Sequence, residues 1–152
     1  MRIPRVYLDL PLNTGTEIEL PEAAHNHLVK VLRMKQGFKL VLFNGDGFDY
    51  QAELSNVSKR ESSVQIIAAD PNNRESPINI HIGQGLSRGE RMDYAVQKAT
   101  ELGVQSLTPL FTNRSEVKLT AERQEKRSSH WQQIAISASE QSFRAKPMSV
   151  NA

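Results

Sequence analysis

The period of the apolar residues changes at Asp70-Pro71-Asn72-Asn73-Arg74-Glu75-Ser76-Pro77, a run with two prolines and no other apolar side chain. Ahead of it, apolar and polar residues mostly alternate, the spacing of half-buried strands. Behind it, strand-like and helix-like segments take turns. One sheet or one helical bundle cannot satisfy both periods. The spacing therefore predicts two units, 1–72 and 73–152, and an α+β chain overall.

In the first unit, Arg5–Leu8, Glu17–Leu20, Phe38–Phe43, Phe48–Val57 and Ser63–Ala69 read as strands. Asn44-Gly45-Asp46-Gly47 is a turn, because Asn and Gly tolerate positive φ. A helix is expected from Pro21 to Met34, with Ala24, Leu28, Val31 and Leu32 as its buried stripe and Gly37 as its stop. Four or five short strands with one helix suggest a small barrel.

In the second unit, Ile78–Gly83 is a β-branched strand. Glu90–Leu102 is a helix with Met92, Ala95, Val96, Ala99 and Leu102 on one face and Gly103 as its stop. Ser106–Phe111 is a strand, with Pro109 expected at an edge or end of it. Thr120 is placed to cap a helix reaching about Gln141, buried through Trp131, Ile134, Ala135 and Ala138. This is the start of a parallel α/β sheet, and the last residues fall where a third strand would begin. The second unit thus reads as unfinished.

Composition narrows the chemistry. With 152 residues and no Cys, a disulfide framework, a thiolate metal site and a cysteine nucleophile are excluded. The four histidines are scattered, so no metal is expected. No apolar run approaches the ~18–20 residues of a membrane span. The N-terminus lacks a signal peptide's apolar core, so no membrane partner is expected and the cytoplasm is the default. Net charge is +2, with 8 Lys/Arg against 9 Asp/Glu in 1–72 and 11 against 8 in 73–152. That balance permits a nucleic-acid partner without demanding one.

Several candidate sites have both an ordinary and a chemical reading. Gly83-Gln84-Gly85-Leu86-Ser87-Arg88-Gly89 follows a strand and precedes a helix, but Arg88 stands where a dinucleotide fingerprint requires Gly. Ser87, Arg88 and the helix N–H groups remain candidates for a phosphate. Lys98 and Glu101 share a helix face and suit a simple ion pair. Arg2, Arg5, Lys30, Arg33 and Lys35, beside Tyr7, make either a solvated basic face or a phosphate-contacting one. Ser139-Glu140-Gln141-Ser142-Phe143-Arg144 reads as a polar helix end with Arg144 offsetting the dipole. No G-x-S-x-G elbow or phosphate-binding G-x-x-x-x-G-K-[ST] loop occurs.

Taken in order, Met1-Arg2-Ile3-Pro4-Arg5-Val6-Tyr7, His27–Met34, Leu86–Met92, Gln97-Lys98-Ala99-Thr100-Glu101-Leu102-Gly103-Val104, Thr108-Pro109-Leu110-Phe111, Arg114-Ser115-Glu116 and Glu140-Gln141 resemble the bacterial 16S ribosomal RNA (uracil-N3)-methyltransferases. The resemblance implies an N-terminal PUA-like, RNA-binding β-barrel followed by the first half of an α/β SPOUT domain with its trefoil-knot region missing. It implies S-adenosylmethionine as methyl donor, 16S rRNA of the small ribosomal subunit as substrate, and a homodimer. By position it implies that Arg114, Glu140, Gln141 and Arg144 line the catalytic side, with Lys98 and Glu101 as support. The family's Gly-Pro-Glu-Gly-Gly-like loop and Leu-Arg-x-Glu-Thr-Ala-like segment, which wrap the donor, do not occur in the sequence. No donor-binding residue is therefore assigned, and the chain alone is expected to be inactive. Ser139 and Ser142 replace cysteines common in the family. The alternative is a stand-alone rRNA-binding module without catalysis.

Overall fold

The computed structural model describes every residue except Met1 and 115–118. Met1, Ser115 and Glu116, quoted above for the resemblance, lie outside the described residues. The chain divides into two compact units, Met1–Asn73 and Arg74–Ala152.

The first unit holds β1 (Arg5–Tyr7), β2 (Glu17–Glu19), β3 (Lys39–Phe43), β4 (Phe48–Val57) and β5 (Ser62–Pro71) in one sheet, in the order β1-β3-β4-β5-β2. β1 runs parallel to β3, and the other pairs are antiparallel. Alternation puts Leu40 and Leu42 of β3, Tyr50, Ala52 and Leu54 of β4, and Val64 and Ile66 of β5 into one core with Val6, Leu20 and Leu28. Phe48, which the same alternation puts on that face, is exposed at the start of β4. The expected barrel is not closed: among the described residues the edge strands β1 and β2 pair only with their inner neighbours. Each has three residues, too little ladder to bring the two edges together.

The expected Pro21–Met34 helix is shorter and changes type. Pro21 precedes α1 (Glu22–His25), which continues as a π-helical turn, Asn26–Val31. A π-helix closes its hydrogen bonds over one more residue than an α-helix, and Leu32 N–H accordingly donates to His27 O at 2.9 Å. That extra residue rotates the later side chains. Leu28 stays in the core, Val31 and Leu32 turn to solvent, and Met34 fills the place they were expected to take.

The second unit holds β6 (His81–Gly85), α2 (Glu90–Glu101), β7 (Ser106–Leu110), α3 (Ala121–Ser142) and β8 (Ser149–Val150). The strands form a parallel sheet, β6-β7-β8, so the third strand does begin near the end of the sequence. Met92, Val96 and Ala99 of α2 pack with Leu107, Trp131, Ala135 and Met148. Four expectations are corrected. β6 starts three residues late, leaving Ile78 and Ile80 exposed. Leu102 lies beyond the end of α2 and is exposed. Pro109 sits in the central strand. It is tolerated because β8 pairs only as far as Leu107, so no ladder partner lies opposite the missing N–H. Thr120 makes no side-chain cap; Gln124 N–H bonds its carbonyl instead.

Candidate functional site

The first unit's cations have two fates. Arg5 is buried: its guanidinium bonds Asp49 Oδ1 at 2.7 Å and lies 4.6 Å from the centre of the Phe43 ring. Asp49 also accepts from Asn72 Nδ2 at 3.1 Å. Arg5 therefore fastens β1 to β4. Lys30, Arg33 and Lys35, by contrast, are exposed on and just after the π-helical turn, and Arg2 is exposed ahead of β1. Arg33 has φ +54°, a left-handed conformation that costs a non-glycine residue about 1 kcal/mol and turns the chain sharply out of the helix. Buried His25, at the junction of α1 and the π turn, is hydrogen-bonded through Nδ1 to Ser62 Oγ at 2.9 Å. Tyr7 packs on Phe43, and burial, then Asp9, raises its pKa.

In the second unit Arg144 follows Phe143, whose left-handed φ of +65° ends α3. Arg144 as a whole is 4% exposed. Nη1 donates to the Thr100 and Val104 carbonyls at 2.8 and 2.9 Å, and Nε and Nη2 donate to the Glu75 carboxylate at 3.3 and 2.9 Å. The two carbonyls lie where α2 ends and the chain leads into β7, so Arg144 pins the end of α3 to the end of α2. Glu140 and Gln141 occupy the same last turn of α3, Glu140 half-buried and Gln141 exposed. Arg114 is exposed beyond the opposite, C-terminal end of β7. The structure thus gathers Glu140, Gln141 and Arg144 and places Arg114 elsewhere along the sheet.

Lys98 and Glu101 form an exposed pair at 2.9 Å, with the Lys98 ammonium 5.6 Å from the Tyr94 ring. The bond to Glu101 is the main reason the lysine's pKa is raised. Arg88 is exposed in the turn before α2, where Gly89 adopts φ +53°. His130 bonds Asp93 at 3.2 Å and His81 bonds Ser106 at 2.7 Å, while His27 is exposed. Among the described residues no group of three or more His, Cys, Asp or Glu side chains is placed to hold a metal ion. No described helix is long and apolar enough to cross a membrane.

A cavity of about 240 Å³ opens between the end of β7 and the first half of α3, lined by Pro109, Phe111, Leu119, Gln124, Glu125 and Trp131 among others. Its described lining contains no cation. Three partners went unread in the sequence: Glu75 for Arg144, Asp49 for Arg5 and Ser62 for His25. They lie 69, 44 and 37 residues away, beyond the reach of any local pattern.

Residues 74–152 match the model of an RNA methyltransferase domain, and residues 20–67 that of an RNA methyltransferase PUA domain. A curated relative from Bacillus subtilis (strain 168), named ribosomal RNA small subunit methyltransferase E, is 39% identical over 131 residues, covering 86% of this chain and 48% of its own. The protein of the same name from Buchnera aphidicola subsp. Schizaphis graminum is 35% identical over 94% of this chain and 58% of its own. A Legionella pneumophila methyltransferase solved with bound SAM has a TM-score of 0.95 and 40% identity, covering 99% of this chain and 62% of that one. A ribosomal RNA small subunit methyltransferase E from Neisseria gonorrhoeae, bound to S-adenosyl methionine, has a TM-score of 0.93 and 38% identity, with the same coverage. The chain spans about half the length of the curated relatives it matches.

Proposed function

The chain belongs to the RNA methyltransferase family, and from that premise we propose that it carries the RNA-docking unit and the proton-accepting helix of an enzyme that methylates N3 of a uridine in 16S rRNA of the small ribosomal subunit. The observation that carries this reading is the match of nearly the whole chain to two methyltransferases solved with the methyl donor. The ordered motifs of both units agree with it. The family resemblance implies, in addition, a cytoplasmic homodimer.

S-adenosylmethionine supplies an electrophilic methyl group. The described residues do not form a complete site for it. The cavity beside β7 is lined mainly by apolar groups, and none of its described lining residues is a cation to meet the donor's carboxylate. The two donor-wrapping motifs of the family do not occur in the 152 residues.

The work left to this chain is on the uridine. Uracil N3–H is a weak acid, and its proton must leave as the methyl arrives. Glu140, on the last turn of α3, has the chemistry to accept it, directly or through one water. Gln141 has the donors and acceptor to hold the base, while Arg114, at the other end of β7 from Glu140, is left to hold a phosphate. Arg144 supports Glu140 through its bonds to α2 and Glu75. Arg2, Lys30, Arg33, Lys35 and Arg88 hold phosphates. A uridine inside a helix must first be unstacked. A second reading of the 152 residues taken alone is a catalytically inactive rRNA-binding module, supported by the two donor-wrapping motifs not occurring in them.

Calorimetric titration separates these assignments. The chain is expected to bind small-subunit rRNA saturably and to give no saturable heat with S-adenosylmethionine. Saturable donor binding contradicts the division of labour, and failure to bind rRNA contradicts the reading as a whole.

A further inference from the structure

We propose that the surface formed by Lys30, Val31, Leu32, Arg33 and Lys35 docks on paired, A-form RNA in preference to a single strand. The proposal rests on the RNA reading above and names the form of RNA that this surface takes.

Charge is the first observation. The first unit is not basic as a whole, yet residues 23–45 contain Lys30, Arg33, Lys35 and Lys39 and no Asp or Glu. The positive charge is gathered on one segment while the acids lie outside it. A phosphate backbone is the complementary partner.

The second observation is what stands between the cations. The π-helical turn and the left-handed Arg33 put four successive side chains, residues 30–33, in solvent. Two of them are aliphatic, with Val31 69% and Leu32 42% exposed. Proteins that hold single strands need aromatic side chains on which bases stack. Lys30, Val31, Leu32, Arg33 and Lys35 include none. Phe48, the one exposed large aromatic among the described residues of the first unit, lies elsewhere. Asp46 and Asp49 stand close to it in the chain and Asp70 in the neighbouring strand, a setting that repels phosphate.

An aliphatic pair framed by cations suits the wide, shallow minor groove of A-form RNA. There Val31 and Leu32 meet ribose edges while Lys30, Arg33 and Lys35 reach phosphates on either side. The Arg33 backbone, fixed by its unusual φ, sets where its guanidinium leaves the surface.

The test is fluorescence anisotropy with the whole 152-residue chain at fixed salt. The probes are a labelled RNA hairpin with a stem of about 16 base pairs, an unstructured RNA with the same number of phosphates, and a DNA hairpin of the same sequence. The RNA hairpin is expected to bind about tenfold tighter than either of the others. Val31→Ser with Leu32→Ser is expected to weaken hairpin binding severalfold with no loss of folding and no change in salt dependence. Arg33→Ala is expected to lower the salt slope by about 1. Equal or tighter binding of the single strand overturns the proposal, as does indifference to the aliphatic substitutions. Equal binding of the DNA hairpin removes the ribose contact. If no RNA binds, the RNA reading of the chain falls, and this proposal with it.

Discussion

Arg144 puts a full charge where almost no solvent reaches, and the fold accommodates it with four hydrogen bonds from one guanidinium. Breaking a buried pair from one side strands the other charge. Glu75→Ala is therefore expected to destabilise the chain by about 3 kcal/mol in chemical denaturation. The Arg144 guanidinium bonds carbonyls at the end of α2 rather than offsetting the dipole of its own helix, α3, so only the place of Arg144 at the close of α3 was legible. Glu75 was not: it sits in what reads as a linker, and only the tertiary fold brings it close. Asp46 and Tyr50 give a second test at this scale. Asp46 accepts the Tyr50 hydroxyl at 2.5 Å, which, with burial, pushes the phenol's pKa up to about 12. The folded value lies above the phenol's ordinary 10.0, so this stabilisation is whole below pH ~10 and is lost as pH rises toward ~12. Tyr50→Phe is expected to remove that part of the alkaline loss, measured as the difference in unfolding midpoint between the two proteins across that range.

The segment after Pro21 shows how an element can be right in kind and wrong in phase. Its apolar residues fit an α-helix, and Ala24 and Leu28 are buried as that fit requires. The single extra residue of the π turn then exposes Val31 and Leu32. Side-chain period alone does not reveal such a turn, because the alternative hydrogen bonds are settled by what packs on the segment. Leu28→Ala is expected to cost about 2–5 kcal/mol. Val31→Ser is expected to change stability by less than about 0.5 kcal/mol, whereas an α-helical turn burying Val31 would make both costly. The strands were read more reliably, because alternation in β3, β4 and β5 reports one buried face directly. The end of α2 was also legible. Gly103 has φ +92°, and a Cβ there would stand 3.1 Å from Ser76 Cβ. Gly103→Ala is expected to cost about 1 kcal/mol or more in thermal unfolding.

At the scale of the molecule, the change of hydrophobic period near residue 70 marked the two units, and the order of motifs marked the family. Closure of the first sheet was not legible. Alternation says which face of a strand is buried and says nothing about whether two edges meet. The candidate catalytic residues could be named one by one but not read as a constellation: Arg114 follows the C-terminal end of β7, whereas Arg144 bonds Val104 ahead of its first residue. The proposal that this chain is the RNA-binding side of an rRNA methyltransferase is tested most directly by its affinity for a 16S rRNA fragment between about 50 and 200 mM salt. Binding is expected to be saturable and to weaken linearly in log–log form, with Lys30→Ala and Arg33→Ala each lowering the slope by about 1. Absent binding, or binding indifferent to salt and to both substitutions, would contradict it.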